Sequence, residues 1–422
     1  MKKNLNFIWT LLIIIIVAVI AGFFIPVTSK DSISIYNVFN LVSQLFINAL
    51  TLIVMPLISA SIIVGVMKIA KNHSFGRVGG KTIGIFLLLN FSAILIGFVI
   101  TNIFSEQFFT TAQNILTQNP EAALAAHTHP VAPMTFYEII LQIIPSNIIE
   151  AFSKNQILGL IFFSIVFGYA ISQLKEAHRQ VLSSLFDSVF QAFITFTHYI
   201  LKFLPIAVFC LVAKHIADTG IQTLLSLGFF VLIMLISMFV FAFIVLPIVF
   251  KAFTRYSFFA HIRNMSPALI TAFSTSSSSA SLPITLDCME KNVGVSNRIA
   301  SLVVPLGTSL NMACSALYAY IGAFFLLQFL GVENSLWLQI SLFFYAFICS
   351  FAIAGIPSAG IITVIIILKG FGVTSQWVTL LFAVDRLIDM FRSSINILTV
   401  SVSTVIIAHF EKEKSLYKKK IF

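Results

Sequence analysis

Charge is what this chain has least of. Asp, Glu, Lys and Arg together make up 9% of its 422 residues, where a soluble domain carries about 25%. Apolar residues make up 59%, and one Pro-punctuated apolar segment follows another with no soluble domain between them. That excludes an ordinary water-soluble fold and points to a polytopic membrane protein. Cysteine is scarce too. Cys210, Cys288, Cys314 and Cys349 are scattered through apolar sequence with no CxxC and no His/Cys ligand spacing, so they read as small packing hydrophobes. HExxH, GxSxG and any clear Ser–His pairing are missing, which leaves a hydrolase without a base to activate its nucleophile. The formal net charge of +10 does not imply nucleic acid, because the basic residues collect at the edges of apolar segments rather than in a stripe with aromatics. Lys418, Lys419 and Lys420 read as a topology anchor.

What is present is a series of spans. Apolar segments fall near 7–26, 38–69, 82–104, 136–174, 181–216, 222–250, 297–330 and 376–409, and two more, 258–292 and 334–370, are broken by Ser, Gly and Pro. The first run, Phe7 to Pro26, is long enough to span. No small-residue cleavage site clearly follows it, so it is expected to be a retained helix rather than a signal peptide. The positive-inside rule places Lys2, Lys3, Lys68, Lys71, Arg77, Lys81, Lys175, Arg179, Lys251, Arg255, Arg263 and the Lys-rich tail in the cytoplasm. It places the stretch from Ser105 to Tyr137, which has no Lys or Arg, outside. Eight spans plus two re-entrant segments fit this charge pattern, as do ten full spans.

The broken segments favour the first arrangement. Ser274 to Ser281 is eight small residues, seven bearing a hydroxyl, followed by Leu282-Pro283. Such a stretch is a poor lipid-facing helix but a sensible hairpin tip lining a cavity, where protein or water satisfies its backbone. Ala354-Gly355-Ile356-Pro357-Ser358-Ala359-Gly360 has the same grammar. Each broken segment precedes an apolar helix with polar residues inside it, and paired interruptions of this kind are a sequence pointer to a transporter's binding site.

In the last apolar segment Asp385, Asp389, Arg392 and Asn396 are spaced four, three and four apart. At about 100° per residue they share one helical face, with Ser393 beside them. A self-neutralising Asp389–Arg392 pair is the plain alternative, but burying such a pair in a bilayer is costly. A guanidinium fork suits a carboxylate, a carboxylate suits an ammonium, and an amide serves a second carboxylate. The set reads as a receptor for an acidic amino acid. The preceding helix holds Gly307-Thr308-Ser309-Leu310-Asn311-Met312-Ala313-Cys314-Ser315, which suggests an unwound, cavity-lining turn.

These residues resemble the glutamate transporter family, the dicarboxylate/amino acid:cation symporters, and bacterial proton/sodium-glutamate symporters within it. The resemblance extends to Met55-Pro56, Ile144-Pro145-Ser146-Asn147 and Leu204-Pro205-Ile206-Ala207-Val208-Phe209, and is strongest from Ser274 to Gln328. It implies an all-α polytopic fold of eight transmembrane helices plus two re-entrant helical hairpins. It also implies a homotrimer in the plasma membrane (the inner membrane of a Gram-negative cell), with both termini cytoplasmic, working by an elevator motion. Residues 1–77 and 105–220 would form the scaffold, 78–104 and 221–412 the transport domain, and 413–422 a basic cytoplasmic tail. Asp389 would bind the substrate amino group and Arg392 its side-chain carboxylate, helped by Ser315. Ser393 and Asn396 would meet the ammonium and main-chain carboxylate. Ser277, Ser278 and Ser279 and the turn Ala354, Gly355, Ile356 would close over the substrate. L-Glutamate or L-aspartate is the expected cargo, with no metal or organic cofactor.

The departures from the family bear on coupling. Its Asn-Met-Asp-Gly-Thr signature is Asn311-Met312-Ala313-Cys314-Ser315 here, so a sodium-ligating Asp is Ala313. A second such Asp is Val400, and the third-span ligands become Phe86, Leu89 and Asn90. Sodium prefers oxygen ligands, so two sites are expected to be lost, with a residual one through Ser309, Asn311 and Ser350. A family Arg beside the substrate Asp is Ser276 or Met390 here, which Arg386 replaces one turn earlier, and the Glu tied to proton and potassium coupling is Ala319. Proton symport through Asp385 or Asp389 is therefore expected. Sodium symport through the residual site, uncoupled exchange and an anion-conducting channel remain open, and saturable, stereoselective uptake separates carrier from channel.

Overall fold

The computed structural model describes residues 13–14, 16–25, 35–70, 76–107, 141, 143–153, 156–219, 222–332, 334–350, 359–371, 373, 378–413 and 416–417. The described residues are mostly helical, without a strand. Among them, four helices are long and apolar enough to cross a membrane: Val78–Ile103, Leu227–Phe253, Asn297–Phe329 and Val384–Phe410. Shorter apolar helices include Met55–Met67, Gly159–Ser172, Leu336–Cys349 and Gly360–Gly370. Backbone groups satisfied within their own helix are what the bilayer demands.

After a helical stretch at 16–23 come α1 (Ile35–Ala70), which carries Pro56 inside it, and α2 (Gly76–Ile103). The short α3 (Ile148–Ser153) and α4 (Ile157–Ser172) fall within the expected fourth span. The fifth is α5 (Glu176–Leu201) running into α6 (Leu204–Thr219). Next come α7 (Gln222–Val240) and α8 (Leu246–Phe253), joined without a break by one wide turn at Phe241–Val245. Pro247 removes a backbone donor there, and the wide turn accommodates the loss.

The first Ser-interrupted segment folds back on itself. Its arms are α9 (Phe258–Thr275) and α10 (Leu282–Asp287), the latter continued by a wide turn at Cys288–Val293. The Asn292 amide donates to the Asn264 carbonyl across the two arms at 3.0 Å. Ser257 caps the outgoing arm by accepting from the Ala260 N–H at 3.4 Å, as an N-cap serine does. At the turn Ser276 takes the left-handed conformation, φ 50°, and Ser277 Oγ accepts the Ala280 N–H at 3.2 Å. The hydroxyl run is thus a hydrogen-bonded turn, in which the buried Ser276 Oγ is left without a partner among the described residues.

The seventh apolar segment is two helices, α11 (Asn297–Leu310) and α12 (Ala313–Phe329), interrupted at Asn311 and Met312, whose backbone is not helical. The second broken segment gives α13 (Leu336–Cys349) and α14 (Ala359–Gly370). The turn between them, with Ala354, Gly355 and Ile356, lies outside the described residues. The last helix is α15 (Thr379–Phe410). All seventeen residues of α12 are buried, so α12 is the axis around which α2, α13, α14 and α15 pack. The four cysteines are free and buried, in keeping with their apolar surroundings.

Candidate functional site

The charged face of α15 is buried inside the protein. Asp385, Asp389 and Arg392 are each at most 2% exposed. Arg392 Nη2 donates to Asp389 Oδ1 at 2.5 Å, and Nη1 lies 3.6 Å from Asp385 Oδ1. Arg386, one turn earlier, places Nη1 4.0 Å from the other oxygen of Asp389. The spacing of four and three residues brings these groups onto one side of the helix, as the sequence implies. The result is a compact cluster of two carboxylates and two guanidinium groups.

Asn396 joins that cluster to the break in the neighbouring helix. Its Oδ1 accepts the Cys314 N–H at 2.9 Å, one of the donors that α12 leaves without an intrahelical partner at its start. Its Nδ2 donates to Ser315 Oγ at 3.0 Å and lies 3.4 Å from Met312 Sδ. One side chain of α15 thus caps the first turn of α12. The break needs such a cap, since an unpaired buried donor costs about 1–3 kcal/mol. Asn396→Ala is expected to lower the thermal stability of the purified protein by several degrees, read as loss of the monodisperse peak on size-exclusion chromatography after heating. Asn396→Asp, which keeps the acceptor, is expected to restore most of it.

The remaining expected residues are placed as follows. Ser393 is buried beside Arg392. Ser277 and Ser278 are buried at the turn of the first hairpin, while Ser279 is exposed there. Ser394 donates to the Leu269 carbonyl at 3.1 Å and ties that hairpin to α15 at the level of the cluster. Of the candidate cation ligands, Asn311 donates to Ser403 Oγ at 3.1 Å, and its buried Oδ1 has no partner among the described residues. Ser350 donates to the Phe347 carbonyl at 2.6 Å. The side chain of Ser309 lies outside the described residues.

Four of the positions at which the resemblance led us to expect cation ligands carry hydrocarbon. Ala313, Phe86 and Leu89 are buried. Val400 packs against Gly307 so closely that a Cβ on that glycine would lie 2.7 Å from Val400 Cγ1. Asn90 is buried, with both amide atoms unpartnered among the described residues.

Two participants are absent from the expected set. Tyr318 of α12 puts its ring under Arg392, with the guanidinium Cζ 4.7 Å from the ring centroid. Gly360 of α14 lies so near the guanidinium that an added Cβ would be 2.6 Å from Arg392 Cζ, closer still to Nη1, and 2.8 Å from Tyr318 Cδ1. Neither announces itself in sequence. Tyr318 sits in an apolar run, and Gly360 reads as one more small residue. Their meaning lies in their neighbours on other helices.

Comparison with known proteins adds a family. The sodium:dicarboxylate symporter family matches residues 7–410. The chain is 29% identical to a proton/glutamate-aspartate symporter of Escherichia coli, covering 99% of this chain and 98% of that protein. It is 30% identical to a proton/sodium-glutamate symport protein of Bacillus caldotenax over 90% of this chain and 89% of the relative. It is 29% identical to a C4-dicarboxylate transport protein of Bacillus subtilis over 94% and 92%.

Proposed function

Because the chain belongs to the sodium:dicarboxylate symporter family, and is therefore a membrane transporter and not an enzyme, we propose that it carries L-glutamate or L-aspartate, driven by protons. One observation carries this reading: the buried cluster of Asp385, Asp389, Arg386 and Arg392 beside the Asn396–Ser315 pair. In the proposed complex the substrate replaces part of the internal pairing. Arg392 turns its fork to the side-chain carboxylate, a geometry a guanidinium suits. Asp389, released from Arg392, takes the substrate ammonium. Ser315, Ser393 and Asn396 supply hydroxyl and amide contacts to what remains of the substrate. Ser277, Ser278 and Ser279 and the turn at Ala354, Gly355 and Ile356 close over it.

Charge bookkeeping supports a coupled cation. With all four groups ionised the cluster is neutral. An acidic amino acid brings one net negative charge, and an isolated charge in a low-dielectric interior is costly. A co-bound cation removes that cost. Hydrocarbon at Ala313, Val400, Phe86 and Leu89 is unsuited to sodium, whereas a proton needs only a carboxylate, which Asp385 provides while Asp389 holds the ammonium, and which Asp389 can also provide before the substrate binds. A second reading, sodium held through a residual site around Asn311, Ser309 and Ser350, is favoured by the unpartnered Asn311 Oδ1. In either case the reading includes a homotrimer, an elevator motion, and a transport domain made of 78–104 and 221–412 against scaffold parts 1–77 and 105–220.

Uptake of labelled L-aspartate into proteoliposomes tests the substrate class. Unlabelled L-glutamate is expected to compete, alanine to have no effect, and succinate to compete weakly because it lacks an ammonium for Asp389. Succinate displacing aspartate more strongly than glutamate does would make this a C4-dicarboxylate carrier instead. The coupling argument predicts a gain of function. Ala313→Asp combined with Val400→Asp is expected to make uptake respond several-fold to an inward sodium gradient. No sodium response in that variant would remove the argument from the lost ligands.

A further inference from the structure

The described residues after α15, 411–413 and 416–417, do not trail away from the protein. The chain turns at Lys412, φ 58°, and lies against four other parts of the fold. Glu411 pairs with Lys81 of α2 at 2.5 Å. The Glu413 carboxylate accepts the Ser296 N–H at 3.0 Å and the Ser296 hydroxyl, just ahead of α11. Leu416 is buried. The Tyr417 N–H donates to the Val293 carbonyl at 2.8 Å, and its ring lies 4.7 Å from that of Tyr256.

The Tyr417 hydroxyl reaches 2.8 Å from Nδ1 of His261, a fully buried residue in the first turn of the outgoing hairpin arm α9. The His261 ring stacks on Phe250, centroids 5.3 Å apart, and its Nε2 lies 2.8 Å from Ser401 Oγ. The bond directions follow from counting protons. Ser401 spends its single proton on the Leu398 carbonyl at 2.8 Å, so its oxygen accepts from His261 Nε2–H. Nδ1 is then an acceptor, and Tyr417 is its donor. One tyrosine hydroxyl thus completes a chain from the tail through α9 to the middle of α15.

We propose that residues 411–413 and 416–417 act as a strap that fixes the base of the first hairpin to α15, with Tyr417 as a positioning residue for the hairpin tip. The end of α9 at Thr275, just before the tip, is fourteen residues from His261, about 21 Å at 1.5 Å per residue. A small tilt allowed at the base is therefore magnified at the tip. Further along, α9 is tied to α15 by the Ser394 hydroxyl on the Leu269 carbonyl. Two points of attachment define an angle, whereas one leaves a pivot. The proposal rests on the reading of that tip as part of the substrate site.

Hydrogen–deuterium exchange of the full chain in lipid nanodiscs, paired with L-aspartate binding, tests it with Tyr417→Phe. This variant keeps the ring and removes only the donor. Tyr256→Phe, which leaves the His261 chain intact, is the control. Exchange across 258–281 is expected to rise about tenfold, the consequence of one lost buried hydrogen bond. Exchange in α12 should stay unchanged and aspartate affinity should fall several-fold. Unchanged exchange in 258–281 would overturn the strap. A rise spread equally over α12 would make the contact merely structural, and local release with unchanged affinity would overturn the positioning role. Local release in a protein that binds no aspartate in either form would leave the strap standing and defeat the substrate reading.

Discussion

Arg392→Lys is expected to reduce the transport efficiency for L-aspartate and L-glutamate by about 100-fold or more, in a protein that still inserts and purifies. The size follows from the surroundings of the guanidinium. It is 2% exposed, bonded to Asp389, within 3.6 Å of Asp385 and seated over Tyr318. Lysine keeps the positive charge, so the two carboxylates are not left without a partner. That matters, because removing one member of a buried pair costs about 3–5 kcal/mol. It loses the planar fork that holds a carboxylate with two parallel bonds and the flat face that lies on an aromatic ring. The loss should therefore fall on acidic substrates more than on folding. Initial uptake rates over a concentration series measure it, with thermal stability as the control for folding. Retained wild-type efficiency with lysine would mean that a point charge suffices and that Arg392 does not grip a carboxylate.

Gly360→Ala is expected to be damaging too, through geometry alone. A methyl at this place would overlap the Arg392 guanidinium, with Cζ 2.6 Å away, and press on Tyr318. Real Cβ contacts do not approach that closely, so either the guanidinium leaves its position or α14 moves outward. Overpacking of this sort costs about 1–3 kcal/mol. Because the displaced group is the one proposed to hold the substrate, the effect on aspartate affinity should reach about 10- to 100-fold. Alanine is otherwise the best helix former and would stabilise an unconstrained helical position by about 0.5–1 kcal/mol relative to glycine. The sign of the effect is therefore diagnostic. A Gly360→Ala protein with normal affinity and raised stability would show that α14 does not abut Arg392 in the binding-competent state.

How much of this was legible beforehand depends on whether a feature lies within one element or between two. The face formed by Asp385, Asp389, Arg392 and Asn396 could be read directly, because a helix fixes which residues share a side. The hydroxyl run at Ser274 to Ser281 was legible as an interruption, because no lipid-facing helix tolerates it. The unwound turn at Asn311 and Met312 was foreshadowed by the polar residues around it. The partner of Asn396 across the interface, the ring beneath Arg392 and the glycine beside it were not legible, since each is a meeting of helices far apart in sequence. Nor does the tail betray its attachment. Glu411, Glu413 and Tyr417 look like a solvated terminus until Ser296, Val293 and His261 are seen beside them. The wide turn at Cys288–Val293 leaves no mark in composition either, whereas the one at Phe241–Val245 has Pro247 beside it. Arg386 lies between these cases, for its place on the helix made a contact with Asp389 foreseeable and the structure puts them 4.0 Å apart.

The proposed coupling places the whole electrostatic argument at risk in a single measurement. Labelled L-aspartate uptake into proteoliposomes is followed under an inward proton gradient without sodium, and separately under an inward sodium gradient at equal pH on both sides. The account predicts accumulation with the proton gradient, abolished by a protonophore, and no response to sodium. Accumulation that requires sodium and ignores the proton gradient would contradict it, and would mean that oxygens around Asn311 hold the ion despite the hydrocarbon at Ala313 and Val400.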